Sequence, residues 1–426
     1  MPAEARTDVL VVGAGPAGLS AALAAAQSGA AVLLADLSPG PGGQIWRGAT
    51  ANDGGESGSL LREVQSQPNI TLLYGAQVAL TEMVPGTGRV VQFSGPHGPH
   101  RVVPEKIILA TGATERFLPF PGWTLPGVVG AGGLQAMVKS GLDVRGARVL
   151  VAGSGPLLLA VATGLREHGA KVLAVAEQAS LPQLLGFGLA AQRSGKAGEG
   201  ARLLSSLRGV PYWPSTFPVR ASGAGRLERV QLGGLVRRTL DCDWLAVGFG
   251  LVPDTRLAAL FGCALEGDAV KVGAWQQTSQ AGIYAAGELT GIGGVDKARL
   301  EGLMAGCAAT GQVGRLRDLP TQLEHAHRFQ ASLSRSFAPR PPLQRLPEAD
   351  TLVCRCEDVS HAALQTCTSW TEAKLQTRCG MGTCQGRVCG PATETLYGWT
   401  FAGVRPPLLP LPLSDLLEDS LKGDPL

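Results

Sequence analysis

Two glycine-rich turns, each set between a short apolar run and an Ala/Leu-rich stretch, and a bunch of cysteines near the C-terminus predict an α/β chain. The expected architecture is two Rossmann-like nucleotide-binding domains followed by a small α-helical module carrying the cysteines. At 426 residues the chain exceeds what one hydrophobic core usually serves.

The elements follow in order. Residues 8–12 (DVLVV) read as a buried strand, the turn from Gly13 to Gly18 opens a helix to about Ser28, and AAVLLAD ending at Asp36 reads as a second strand. A β-rich stretch with turns at VPGTG and SGPHGPH leads to the strand KIILATG at 106–112. Residues 148–177 repeat strand, glycine turn, helix and strand, and 241–255 closes that second unit. Residues 282–309 give a strand, a glycine loop and a last helix that returns to the first domain. The expected domains are 1–125 with 251–317, the inserted 126–250, a Pro/Arg/Gln/Ser-rich linker at 318–350, the cysteine module at 351–400 and a proline-rich tail at 401–426.

Composition removes several classes. A net charge of +3 from scattered basic residues offers no footprint for nucleic acid or an anionic membrane. No apolar run reaches membrane-span length and MPAEARTDVLVVGAG lacks a signal-peptide pattern, so a cytoplasmic location with reduced thiols is expected. An odd number of cysteines, bunched at one end, then suggests metal ligation more than a disulfide framework. The six histidines show no ligand spacing beyond His325-x-His327, in the linker.

The first fingerprint is complete: strand, Gly13-x-Gly15-Pro16-Ala17-Gly18, helix, strand and an acid, Asp36, 23 residues after the first glycine. Glycines let backbone approach a pyrophosphate at a helix N-terminus, and the carboxylate can accept ribose hydroxyls. The second, Gly153-Ser154-Gly155-Pro156-Leu157-Leu158 with Glu177 after the next strand, lacks the third glycine. Leu158 pushes helix from strand and weakens the case for a bound dinucleotide, leaving NAD(P)H, a structurally held adenine nucleotide such as ATP or NAD, or an empty pocket.

Cys354-x-Cys356 and Cys384-x4-Cys389 are separated by 27 residues. Four thiolates are what a [2Fe-2S] cluster requires. Of Cys379, Cys384 and Cys389, the last two are the expected ligands, because Gly380, Gly382 and Gly386 can aim backbone N–H groups at the sulfurs, with Cys379 a bystander. A four-cysteine zinc site is the alternative, although zinc favours Cys-x2-Cys knuckles. Cys242, Cys263 and Cys307 read as small buried hydrophobes.

Three further stretches, Gly42-Gly43-Gln44, Ala110-Thr111-Gly112 and Ala286-Gly287-Glu288, resemble across residues 6–315 the glutathione reductase-like, two-dinucleotide-domain flavoproteins, a group that includes the thioredoxin reductases. The resemblance implies FAD at the first fingerprint, with Gly287-Glu288 along the ribityl chain. Glu288 departs from the usual Asp. It also implies that Gly293-Gly294-Val295 begins a helix whose N–H groups face the flavin, where a helix N-terminus stabilises the reduced anion. Thiol reductases of that fold carry a redox Cys pair near the flavin, whereas this chain has no cysteine before Cys242, so disulfide reduction is not expected.

CRCEDV and RCGMGTCQGRVCG resemble the bacterioferritin-associated-ferredoxin type of [2Fe-2S] domain. Joined to GPGGQIWR, VAGSGPLLLAVA and AGELTGIGG, they resemble the alpha subunits of bacterial opine oxidases, D-hydroxyproline dehydrogenase and hydrogen cyanide synthase, over nearly the whole chain. That resemblance implies an electron-transfer subunit working with a beta subunit of the amine-oxidase (D-amino-acid-oxidase-like) flavoprotein type, a small third subunit in some assemblies and FMN at an interface in some relatives. Electrons from amine or amino-acid oxidation would reach a respiratory acceptor. No catalytic residue is assigned, because the substrate pocket would belong to the partner. The alternatives are a self-sufficient NAD(P)H-dependent FAD/[2Fe-2S] oxidoreductase and a non-enzymatic module with a structural zinc.

Overall fold

A computed structural model describes residues 5–96, 98–316, 319–400 and 404–417. The chain divides into two compact units, residues 1–113, 253–330 and 403–426 in one and residues 114–252 and 331–402 in the other.

In the first unit a seven-stranded sheet places Ala5–Val12 between Val32–Asp36 and His100–Leu109, with Ile70–Tyr74 beyond Val32–Asp36. These pairs are parallel, as is Ile283–Ala285 on the end of His100–Leu109. Gly88–Ser94 and Gln77–Val84 extend the sheet antiparallel. Val9, Leu10 and Val11 are buried on both faces, as a central parallel strand requires. Helix Pro16–Ala26 packs against helix Val295–Ala309 through glycines: a Cβ on Gly302 would lie 2.1 Å from Ala17 O, and one on Gly306 2.4 Å from Ala21 O. The proline-rich tail closes on this sheet, with Gln77 Nε2 donating to Pro410 O at 3.2 Å and Ser94 Oγ to the Asp415 carboxylate. Residues 401–403 and 418–426 of that tail lie outside the described residues.

In the second unit five parallel strands run Tyr212–Trp213, Lys171–Glu177, Arg148–Ser154, Trp244–Phe249 and Val128–Gly130. A three-stranded antiparallel sheet, Thr216–Ser222, Arg229–Gly234 and Thr239–Asp241, packs over it through Phe217, Val230 and Leu232. Leu158 sits 1% exposed among Val151, Val161 and Val175, a core role for the residue that replaces the third glycine. The stretch read as a linker holds helix Leu319–Ser336 and the 3-10 turn Pro341–Arg345, whose Leu343 is buried in the core of the second unit. The cysteine module is a two-stranded ribbon, Leu352–Cys354 with Val359–Ser360, and helices His361–Leu364, Trp370–Thr377 and Cys389–Tyr397.

Candidate cofactor sites

The first fingerprint forms a cradle at the C-terminal edge of the first sheet. A Cβ on Gly13 would lie 2.2 Å from Ala110 O and one on Gly18 1.7 Å from Gly13 O, so both positions admit glycine alone. At Gly15 the nearest atom to such a Cβ is Gly43 Cα at 3.9 Å, leaving room for a ligand. Helix Pro16–Ala26 begins there with no capping side chain and no acid in its first turn, a terminus suited to a pyrophosphate. Asp36, partly exposed, accepts the Ala14 and Ser38 N–H groups at 2.5 and 2.6 Å. Gly42 donates to Ala14 O at 2.8 Å, which fixes the Gly42-Gly43 turn beside Gly15, while Gln44 points outward to Arg47. Thr111 spends its hydroxyl on Asp254 O at 2.7 Å and so positions the 110–112 turn.

Around Gly287 the arrangement differs from expectation. Glu288, one methylene longer than Asp, folds back so that its carboxylate accepts the Gly293 and Gly294 N–H groups at 3.0 and 2.8 Å. The donors expected to face a flavin thus carry Glu288, just before helix Val295–Ala309. Burial pushes this carboxyl above its ordinary range, opposed by the Lys297 charge and the two N–H groups. Beneath the loop lies a network absent from the sequence reading. Lys297 Nζ donates to Gly287 O, Thr290 Oγ1 and Gly291 O, and Glu301 accepts the Gly287 N–H at 2.8 Å and the Thr290 hydroxyl at 2.6 Å. The signal available was a Lys and a Glu four apart in a helix whose later turns are rich in Gly and Ala.

The second fingerprint repeats the acid's geometry but not its accessibility. Glu177 accepts the Gly155 and Ala179 N–H groups, both at 2.8 Å, and is 0% exposed. Burial raises its carboxyl to about 7. A Cβ on Gly155 would face the Phe337 ring at 3.9 Å, and Ser154 Oγ donates to Phe337 O at 3.0 Å. Pro156 precedes helix Leu157–Glu167.

In the module Cys354, Cys379 and Cys389 are buried with their sulfurs within 4.8 Å of one another. Cys354 faces Cys379 and Cys389, and Cys384 faces Cys389 and Cys356. Of the expected quartet this buried trio holds Cys354 and Cys389, and Cys379, expected as a bystander, stands inside it, while Cys356 is exposed and Cys384 partly so. Backbone N–H groups of Gly380 and Glu357 are aimed at Cys354, and those of Val388 and Gly386 at Cys384. Gly382 allows the two cysteine segments to meet, since a Cβ there would lie 2.3 Å from Cys356 Cβ. Arg378 Nε, bonded to Glu357 at 2.8 Å, clips the same segments together. A soft, all-thiolate basket with N–H donors suits an iron-sulfur cluster. Cys242 and Cys263 are buried, with burial pushing both thiols up, and Cys307 is buried too.

A glycine cradle at the end of a parallel sheet and a second βαβ unit define a FAD-dependent oxidoreductase. The chain belongs to the pyridine nucleotide-disulphide oxidoreductase family, whose model matches residues 7–304. It is 32% identical to an opine oxidase subunit of Rhizobium meliloti over 96% of this chain and 98% of that one. It is 31% identical to the hydrogen cyanide synthase subunit HcnB of Pseudomonas aeruginosa over 95% and 97% of the two chains. Among solved structures, L-proline dehydrogenase of P. horikoshii matches with a TM-score of 0.69 and 20% identity over 98% of this chain and 80% of its own, a likeness of fold. No helix among the described residues is long and apolar enough to cross a membrane.

Proposed function

We propose that this chain is the electron-transfer subunit of a multi-subunit flavin-dependent dehydrogenase acting on an amino acid or an opine-like secondary amine, with FAD in the first cradle and a [2Fe-2S] cluster on Cys354, Cys356, Cys384 and Cys389. The observation that carries the reading is the pairing of a flavin cradle and a thiol basket in a chain with no cysteine before Cys242. When bound, FAD accepts electrons in pairs and releases them singly, and an iron-sulfur cluster takes one at a time.

The chain's own residues hold these groups. Gly13, Gly15 and Gly18 bring backbone to the pyrophosphate, Asp36 meets the ribose, and Lys297 with Glu301 fixes the loop that carries Glu288. Cys354 and Cys389 hold the buried side of the cluster, while Cys356 and Cys384 hold the side nearer solvent. The relatives are named as subunits of an oxidase and a synthase, which supports a partner subunit; that partner, of the amine-oxidase flavoprotein type in this reading, owns the substrate pocket. A cytoplasmic location fits this role.

The test is direct. The purified chain is expected to retain FAD, iron and labile sulfide yet oxidise no amine alone, and to support amine oxidation when co-expressed with its partner. Amine turnover by the chain alone would sink the proposal.

A further inference from the structure

We infer that the crevice over the second fingerprint is a peptide site whose ligand is the chain's own segment Phe337-Ala338-Pro339-Arg340, held where a dinucleotide would lie. Such a ligand needs the edge of the glycine turn, the helix start and the acid after the second strand. Each is taken. Phe337 faces Gly155, its carbonyl accepts the Ser154 hydroxyl, and its ring meets Phe187 edge-on at 4.8 Å between centroids.

The main chain of the segment is read group by group. Gln178, itself 0% exposed, donates from Nε2 to Ala338 O at 3.1 Å and accepts the Arg340 N–H on Oε1 at 3.2 Å. Pro339 has no N–H to satisfy. Arg340 Nη1 closes the far end on Gln178 O at 2.9 Å and Ser215 Oγ at 3.4 Å. Beneath the segment Glu177 is sealed with both oxygens already accepting.

The first fingerprint supplies the contrast. Asp36 has the same pair of N–H donors but stays partly exposed, and only backbone of the same cradle lies near Gly15. One motif thus stands open in one unit and filled in the other. Because the segment is anchored by Leu343, buried in the same core, a free nucleotide would compete with a tethered ligand at high effective concentration. The inference goes beyond the proposed function, and where it names how nicotinamide is kept out it rests on that reading.

The experiment uses the FAD-loaded full chain. NADH, NAD+ and ATP are titrated calorimetrically, and hydrogen exchange is followed at Gly155, Gln178 and Ala179 with and without each nucleotide. The expected result is no binding heat and slow exchange unaffected by nucleotide, with Phe337→Ala/Arg340→Ala raising exchange at those amides about tenfold or more while FAD content is kept. Should the double variant fail to fold, Arg340→Ala alone is expected to raise exchange at Gln178. Nucleotide binding to the wild-type chain with faster exchange in 337–340, or no change of exchange in either variant, overturns the inference. Binding without flavin bleaching overturns it alone, bleaching by NADH overturns the proposed function with it, and a chain without iron and sulfide overturns the proposed function while leaving the crevice result in place.

Discussion

Lys297 and Glu301, one turn apart on helix Val295–Ala309, form an ion pair of 2.9 Å with 1% of either side chain exposed. The pair clasps the Gly287–Gly291 loop from both sides, Lys297 through carbonyls and Glu301 through the Gly287 N–H. Lys297→Met leaves the buried Glu301 carboxylate with His327 Nε2 at 3.3 Å but no lysine, and is expected to cost about 3 kcal/mol. Thermal unfolding and FAD content would both fall. Lys297→Met/Glu301→Leu regains only part of the loss, because the Gly287 N–H then has no acceptor.

The two glycines of the first turn separate packing from ligand binding. Gly18→Ala places a methyl against Gly13 O and is expected to misfold the cradle. Gly15→Ala, with φ at −76° and open space before it, keeps the unfolding temperature of the flavin-free chain but weakens FAD binding at least tenfold, about 1.4 kcal/mol. Flavin titration against melting curves checks the pair. Equal loss of stability in both would contradict the assignment.

Glu177 sets a pH dependence. Its carboxyl rises on folding from 4.5 to about 7 through burial, so the folded state binds the proton more tightly than the unfolded state. Its stabilising contribution is full below about 4.5, falls as pH rises and is lost above about 7, on the order of 3 kcal/mol. Denaturant unfolding across that window is expected to show the slope, and Glu177→Gln to flatten it.

The thiols separate by role. Cys354→Ser, Cys384→Ser and Cys389→Ser each lose iron and sulfide, while Cys379→Ser keeps both with an unchanged EPR spectrum. Cys384→Ser retaining a cluster that Cys379→Ser loses would place the fourth ligand at Cys379, whose sulfur lies within 4.8 Å of those of Cys354 and Cys389.

Both βαβ units were legible because glycine turns between apolar runs report local geometry, and Leu158 announced that the second unit departs from the pattern. Spacing pointed to the C-terminal cysteines, but not to Cys379, which joins Cys354 and Cys389 in the buried trio. Three features were hidden. Glu288 on Gly293 and Gly294 depends on one methylene of reach, Lys297 and Glu301 look like a surface pair until the helix is buried, and Phe337–Arg340 lies some 180 residues from the turn it fills. A composition rich in Pro, Arg and Ser reads as linker because spacing carries no record of such long-range docking.

The central claim is tested most directly by anaerobic absorption and EPR titration of the purified chain, reduced stepwise with NADH and, separately, with dithionite. The account predicts that dithionite alone bleaches the flavin band and raises a rhombic [2Fe-2S] signal. Bleaching and cluster reduction by NADH would contradict it and make the chain a reductase in its own right.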